Sequence, residues 1–338
     1  MEQGNRTFLP NLVDPQVLAD MVDGKVEKYI TVSPLASIDN TLQGRAGSTI
    51  TVPYYGHIGD AVVVAEGEPI PVQKLTTSTK DYQIHKIGNG VTLTDEAVLS
   101  GYGRPVDQAA MQLAQSFAQK IDDDAMDELL KADRHFLAST AFKYDSLVDG
   151  IDVFQEERNS AKVAFVNPAQ VKGIRKDSQF ISADKYGASN NLVMYGEMGM
   201  VANTRIVPSA RVKKNDEFYY PVDSSASGAK VIVASGASTG QVNLADVEAK
   251  AIGGYEPKVG DYVANVAANT YWINPIVKLS SEDEVEYGIP AITIFQKRGL
   301  FIEPARDAEH KQTHYFADKH FVVALTNADN VVLLYTPV

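Results

Sequence analysis

Two neighbouring segments of the chain carry most of the information about its architecture. Residues 66–96 read EGEPIPVQKLTTSTKDYQIHKIGNGVTLTDE, and residues 105–130 read PVDQAAMQLAQSFAQKIDDDAMDELL. The first segment holds few large apolar residues and alternates in polarity near its end, which is typical of extended β structure. The second is apolar at every third or fourth position, which predicts an amphipathic helix. The central prediction is therefore a poorly self-burying β-ribbon followed by one long helix.

The ribbon is predicted over about residues 46–93. Ile50, Val52 and Tyr54 stand at alternate positions near its start, and a Gly-Glu-Pro turn and a Thr/Ser-rich stretch follow. An isolated hairpin is marginally stable in water because it buries little of its own surface. We therefore expect this ribbon to project from the folded subunit and to be covered by a partner.

The long helix is predicted from Pro105 to Ala132, since proline fits the first turn of a helix. About 28 residues would form a rod about 42 Å long, whereas a helix in a globular protein averages about 11 to 12 residues. This length indicates a structural spar. Its apolar stripe consists of Val106, Ala110, Leu113, Phe117, Ile121, Ala125 and Leu129.

Other elements are predicted from local signals. One helix is predicted over residues 12–28 and another over residues 145–157. Lys162–Val166 is predicted as a strand, with Asn167 capping a helix whose first residue is Pro168.

The last part of the chain is predicted to be rich in strands. Residues 220–275 contain Ser/Gly/Ala clusters between short apolar runs, which indicates an inserted β segment. Residues 317–335, ADKHFVVALTNADNVVLLY, have the pattern of a hairpin whose turn is Asn327–Asn330.

Composition excludes several classes of protein. The chain has 338 residues with a net charge of −12, so as a whole it is not built to coat DNA. It contains no cysteine, which excludes disulfide scaffolds, cysteine-based metal sites and cysteine nucleophiles. Its first residues lack the basic and apolar regions of a signal peptide. No apolar run is long enough to span a membrane, so no membrane partner is expected.

The acidic run of the long helix, Asp122, Asp123, Asp124, Asp127 and Glu128, could suggest carboxylate catalysis. Glycoside hydrolysis needs two carboxylates held about 5 to 10 Å apart across a cleft. Consecutive helix residues point in different directions, so we expect this run to be a solvated face.

The remaining chemistry-bearing residues form no recognised motif. His310 and His314 would lie about 13 Å apart on a predicted strand, too far to share a metal ion. The sequence has no HExxH, GxSxG or Walker A pattern. We therefore predict a protein that is not an enzyme, with no catalytic, cofactor-binding or metal-binding residues.

Taken in order, these features resemble the major capsid proteins of tailed bacteriophages with the Hong Kong 97-type fold. The resemblance rests on residues 66–96, on the helix at 105–130, on AFVNPAQVKGIRKD at 164–177 and on residues 317–335. It implies an α+β fold in which an N-terminal arm and an extended loop precede a peripheral domain with a spine helix and an axial domain. The implied boundaries are 1–45 for the arm, 46–90 for the extended loop, 91–144 and 291–338 for the peripheral domain, and 145–290 for the axial domain, with the β insertion at 220–275.

The resemblance also implies a function. Copies of the chain would assemble into pentamers and hexamers of an icosahedral shell that encloses double-stranded DNA without sequence-specific binding. A separate scaffolding protein, a portal protein and a decoration protein are the expected partners. Assembly is expected in the host bacterial cytoplasm, and the final location is the virion. The expected contacts between subunits are Tyr54, Tyr55, Glu66, Glu68, Pro69, Pro71 and Lys74.

Three alternatives remain open at this point. The first is an encapsulin-like compartment shell with the same fold, whose known members usually have a shorter extended loop. The second is another phage structural or cell-surface β protein, against which the long helix argues. The third is a carboxylate-based hydrolase, which should lose turnover when Asp122–Asp124 are substituted.

Overall fold

The computed structural model describes residues 31–44, 47–55, 63–64, 70, 72, 74–75, 77–100, 105–156, 160–177, 200–252, 255–279 and 290–338. The predicted helix at 12–28 lies outside these residues. The described residues mix helices and strands and fall into two compact units. The first unit contains Ile38–Phe117 and Ile294–Ala324, and the second contains residues 31–37, Ala118–Thr293 and Leu325–Val338.

The elements follow the chain in a simple order. The strands are β1 Ser37–Asp39, β2 Thr49–Tyr55, β3 Thr77–Gln83, β4 His85–Thr94, β5 His135–Leu137, β6 Lys162–Val166, β7 Met200–Val201, β8 Thr204–Pro208, β9 Phe218–Pro221, β10 Lys230–Val233, β11 Gln241–Asn243, β12 Tyr262–Val266, β13 Tyr271–Lys278, β14 Ile292–Asp307, β15 Gln312–Leu325 and β16 Val331–Pro337. The helices are α1 Asp95–Ser100, α2 Pro105–Leu129, α3 Tyr144–Asp152, α4 Val171–Arg175 and α5 Leu244–Lys250.

The first unit is built on a four-stranded sheet with the order β1-β14-β15-β4. Strands β4 and β15 pair antiparallel along ten residues, from Gln312↔Thr94 to Phe321↔His85. Strands β2 and β3 form a separate two-stranded ribbon. The prediction of a β-ribbon is thus confirmed for the paired strands β2 and β3, which a long connection joins. It is wrong for the end of the predicted range, because β4 belongs to the four-stranded sheet.

Helix α2 confirms the predicted long helix, and its apolar stripe is buried from Ala110 to Leu129. It begins at Pro105 and ends at Leu129, three residues before the predicted end. Phe117 is 3% exposed, and the neighbouring stripe positions toward both ends are also buried. A stripe at this spacing faces one side of the helix, so its burial fixes which face of α2 is turned inward.

The second unit holds a six-stranded sheet with the order β5-β16-β13-β6-β8-β7. Every residue of β6 is buried, which explains its uninterrupted apolar sequence. Helix α3 covers this sheet through Leu147 and its neighbours. Gly150 allows the close approach, because a Cβ there would lie 3.2 Å from Ile276 and from Leu334.

A smaller sheet in the second unit has the order β11-β10-β12-β9 and its own apolar cluster. It begins at Phe218, two residues before the range predicted to be a β insertion, and it also carries a helix, α5, that the sequence did not predict. Asn243 precedes α5 in an extended conformation and Asp246 lies in its first turn. A helix of seven residues is too short to produce a recognisable apolar period.

The predicted helix start at Pro168 is wrong, although the strand before it is confirmed. The Asn167 side chain accepts a hydrogen bond from the backbone N–H of Ala169 at 3.0 Å, which closes a turn. Helix α4 begins only at Val171. Asparagine is favoured both at helix caps and in such turns, so its presence alone does not fix the helix start.

The predicted hairpin at 317–335 is also wrong. Strand β15 lies in the sheet of the first unit, whereas β16 pairs with β13 and β5 in the second unit. The Asn327 side chain accepts from the backbone N–H of Asp329 at 3.1 Å and starts a 3-10 turn, which leads the chain into a new sheet. Within its sheet, β15 lies beside β14, the strand that precedes it in the chain. Residues 308–311 join the two strands.

Candidate interaction surface

The ribbon is held together by regular antiparallel pairing. Its register runs from Thr49↔Gln83 to Tyr55↔Thr77. The Thr51 hydroxyl donates a hydrogen bond to the Asp81 carboxylate across the two strands at 2.5 Å. The paired part of the ribbon is therefore a defined β structure.

The base of the ribbon is anchored in the first unit. Ile50, Val52 and Tyr82 pack against a cluster of buried side chains. That cluster consists of Ile84, Phe295, Val322 and Ala324. One end of the ribbon is thus fixed by apolar burial.

The connection between β2 and β3 contains four exposed apolar residues among those that the structure describes. Val63 and Val72 are 100% and 96% exposed, and Ile70 and Leu75 are also largely exposed. Burying apolar surface contributes about 25 cal/mol of stabilisation per Å². An isolated subunit does not obtain this stabilisation from the exposed residues of the connection. Exposed apolar side chains of this kind are candidates for contact with a partner.

The predicted contact residues lie in or beside this ribbon. Tyr54 and Tyr55 are the last residues of β2, and their side chains lie outside the described residues. Lys74 is exposed. The other predicted contacts, Glu66, Glu68, Pro69 and Pro71, lie outside the described residues, so their role remains a prediction.

The prediction that the acidic run is a solvated face is wrong for Asp122, whereas the side chains of Asp123 and Asp127 are about half exposed. The Asp122 side chain is completely buried and accepts five hydrogen bonds. Three come from the backbone N–H groups of Thr31, Val32 and Ser33, at 2.6, 3.2 and 3.0 Å. Two come from the hydroxyls of Thr31 and Ser33, at 2.9 and 2.6 Å. We call Asp122 and residues 31–33 the arm anchor, because these hydrogen bonds fix residues 31–33, part of the predicted N-terminal arm, to helix α2.

Basic residues that follow β8 neutralise the same stretch of α2. The Arg211 guanidinium lies 3.0 Å from the Asp123 carboxylate and 3.5 Å from that of Asp122. Lys213 forms an ion pair with Asp127. These partners lie more than 80 residues away in sequence, so no local pattern could reveal that the run is paired.

A second charged cluster lies at one end of the six-stranded sheet. Lys162 and Lys278 are directly opposite each other on β6 and β13, and Glu156 contacts them at 2.7 and 3.2 Å. Burial favours the neutral form of Glu156 and would raise its pKa. Hydrogen bonds from Lys162, Ser160 and Lys278 outweigh burial and lower the pKa to about 2. The carboxylate separates two cations that would otherwise repel each other.

The histidines singled out from the sequence have individual partners. His310 lies in the turn after β14, 2.7 Å from Asp307, and its hydrogen bonds lower the pKa of that carboxyl to about 2. The His314 ring lies 2.8 Å from the Thr92 hydroxyl. Among the described residues, no group of three or more acidic or histidine side chains is placed to hold a metal ion. No helix within the described ranges is long and apolar enough to cross a membrane.

Known phage proteins are similar to this chain in sequence and in fold. The family model for phage capsid proteins matches residues 77–255. The major capsid protein of Staphylococcus phage phiMR11 is 30% identical over 328 residues, which cover 96% of this chain and 94% of the relative.

Two solved structures share the fold at low sequence identity. The capsid protein of cyanophage Pam1 has a TM-score of 0.58 at 12% identity, over 93% of this chain and 92% of its own. That of cyanophage P-SCSP1u has a TM-score of 0.57 at 11% identity, over 89% of this chain and 86% of its own. Both similarities extend over most of the two chains compared.

Proposed function

The chain belongs to the phage capsid protein family, and from this premise we propose how copies of it build a shell. It is a major capsid protein of a tailed phage. The observation that carries this conclusion is the 30% identity to a phage major capsid protein along nearly the whole of both chains. A structural role, with no catalytic residue and no cofactor, is part of the proposal.

The proposed assembly unit is a pentamer or hexamer in an icosahedral shell of the Hong Kong 97 type. In it, the extended loop at about 46–90 lies over a neighbouring subunit. The exposed apolar residues of the ribbon support this arrangement, because a neighbour would remove them from water. Many weak contacts of this kind, repeated in every copy, are enough to close a shell.

The proposed domain organisation follows the same family pattern. Residues 1–45 form the N-terminal arm, and helix α2 is the spine of a peripheral domain made of 91–144 and 291–338. Residues 145–290 form the axial domain, with the small sheet as its β insertion at about 220–275. In this organisation, the arm anchor is the point at which the arm is attached to α2.

The proposed partners are other copies of the chain, a separate scaffolding protein, a portal protein and a decoration protein. The shell would assemble in the host bacterial cytoplasm and enclose double-stranded DNA in the virion. A net charge of −12 supports enclosure without tight binding, because phosphates attract clustered Lys and Arg rather than an acidic surface.

The test is electron microscopy and size-exclusion chromatography of the purified protein, expressed with and without the proposed scaffolding protein. We expect closed shells of uniform diameter, and DNA within mature particles distinguishes a virus from a compartment for protein cargo. Monomers under every condition would contradict the proposed self-assembly.

A further inference from the structure

The dipeptide Asn89–Gly90 lies in the middle of strand β4, at one edge of the described sheet of the first unit. It is the single Asn-Gly pair in the sequence, and both residues are exposed. An asparagine followed by glycine is chemically reactive, because no side chain shields the glycine backbone nitrogen from the amide. The geometry of β4 decides whether the folded subunit retains or suppresses this reactivity.

The Gly90 nitrogen is not used for pairing with β15. The backbone N–H groups of an antiparallel strand point alternately toward the partner strand and away from it. Asp95 continues the register of β4 and donates its N–H to the Lys311 carbonyl at 2.9 Å, so this N–H faces β15. Gly90 stands five positions earlier in an unbroken register. Its N–H therefore points the opposite way, toward the edge at which the described sheet ends.

The Asn89 side chain is held against this nitrogen. The Gly90 N–H donates a hydrogen bond to the Asn89 Oδ1 at 2.9 Å. The Asn89 Nδ2 donates to the Ser116 hydroxyl on α2 at 2.8 Å, which fixes the orientation of the amide. The amide carbon, Cγ, thus lies beside the Gly90 nitrogen. These are the two atoms that bond when an asparagine closes to a cyclic imide, and holding reacting atoms together raises the rate of such a step.

Packing against β15 favours glycine at position 90. Gly90 is paired with Phe316, and a Cβ at Gly90 would lie 3.0 Å from the Phe316 Cδ1. Because side chains in a folded protein are closely packed, the ring would have to shift to accept a larger residue. The fold therefore retains the residue that leaves the backbone nitrogen most accessible.

We propose that Asn89 is a modification site, at which the folded subunit converts its own asparagine to aspartate and isoaspartate. The Gly90 nitrogen bonds to the Asn89 Cγ, the bond from Cγ to Nδ2 breaks, and Nδ2 leaves as ammonia with the proton of the Gly90 N–H. Water then opens one of the two C–N bonds of the imide, adding its hydroxyl to the carbonyl carbon and its proton to the nitrogen. The reaction takes place within one subunit and does not rest on the proposed shell function.

The two products differ in their effect on β4. Opening at Cγ gives aspartate, whose carboxylate accepts a hydrogen bond from the Ser116 hydroxyl. Opening at the main-chain carbonyl gives isoaspartate, which adds a methylene group to the backbone before Gly90. The residues on its two sides then cannot all keep their register with β15. Either product adds one negative charge, and isoaspartate should also weaken the pairing of β4.

The test is peptide mass spectrometry of the purified full chain after incubation in the folded state at mildly alkaline pH. We expect Asn89 to react about tenfold faster or more than Asn265, an exposed asparagine on β12 that precedes the branched residue Val266. Aspartate and isoaspartate should both form, because water can open the imide at either carbonyl. The Asn89→Gln variant keeps an amide one methylene further from the backbone nitrogen and should stay unmodified at this position.

A parallel incubation in urea separates the effect of the fold from that of the local sequence. We expect Asn89 to react at least as fast in the folded subunit as in the unfolded chain, because β4 holds the reacting atoms together. Slower reaction in the folded subunit would show that β4 protects Asn89 and would overturn the proposal. A folded-state rate no higher than that of Asn265, or aspartate formed without isoaspartate, would overturn it as well.

Discussion

Asp122 is the residue whose environment departs most from expectation. Asp122→Asn should lower the free energy of unfolding by about 3 kcal/mol, because an amide group would face donors that now share a charged acceptor. Urea denaturation of the unassembled subunit measures this change. The control is Asp123→Asn on the same helix, whose side chain is half exposed and should cost less than about 1 kcal/mol. Equal effects of the two substitutions would contradict the role of the arm anchor.

Glu156 should make stability depend on pH at acidic values. Its pKa is lowered from 4.5 to about 2 in the folded subunit, so its contribution is fully present above pH 4.5. The contribution is lost as pH falls from 4.5 toward 2, because the unfolded chain takes up the proton first. In the Glu156→Gln variant, the free energy of unfolding should increase less steeply than in the parent protein as the pH is raised from 2 to 4.5. Glu248→Gln, on an exposed position of α5, should keep the slope of the parent protein.

The sequence could not predict these two residues. Asp122 stands in a run of acidic residues, and the run does not indicate which carboxylate faces residues 31–33. Glu156 gains its environment from lysines on two strands that are distant from each other in sequence. Burial of a charge depends on partners brought together by the fold, which a local pattern does not contain.

At the scale of elements, helix α2 gives the clearest prediction. Phe117→Asp should destabilise the subunit by about 4 kcal/mol or more, because it would place an unpaired charge in a buried position. The midpoint of thermal unfolding measures this loss, and Phe117→Leu serves as the control that keeps an apolar side chain. Unchanged stability of Phe117→Asp would contradict the assignment of the buried face.

For the ribbon we expect the opposite of helix α2, because a change in its connection should impair assembly and not folding. Replacing residues 60–75 with a short Gly/Ser linker should leave the subunit folded, because the pairing from Thr49 to Gln83 and the anchored base are retained. The yield of sedimenting shells should fall sharply. Sedimentation velocity distinguishes unassembled subunits from shells. Replacing residues 224–228 with a Gly/Ser linker is the control. A subunit that no longer folds would show that the connection belongs to the core.

Helices and strands whose hydrophobic pattern extends over many residues could be predicted from the sequence. The pairing between strands could not. The spar and the ribbon were recognised from spacing and composition, and strands were correctly expected in the closing residues. The hairpin predicted between β15 and β16 failed because β15 pairs with β4, more than 200 residues earlier in the chain. Pairing across such a separation depends on the whole fold. A turn motif such as Asn327–Asn330 indicates only a local backbone conformation and not which strands pair.

At the scale of the whole molecule, the chain is organised for a role that a single copy does not complete. Two units bury their own apolar clusters, while Val63, Ile70, Val72 and Leu75 between β2 and β3 remain exposed to water. In the proposed arrangement, another copy of the chain covers this surface in every subunit at once. The multiplicity of the shell then converts a modest contact into a stable particle.

The central claim is that the ribbon gains its burial from a neighbouring copy. Hydrogen–deuterium exchange, measured on unassembled subunits and on assembled shells, tests it most directly. We predict that backbone exchange across residues 63–75 slows on the order of tenfold or more on assembly, while the buried strand β6 is protected equally in both states. Equal exchange of residues 63–75 in subunits and shells would contradict the account.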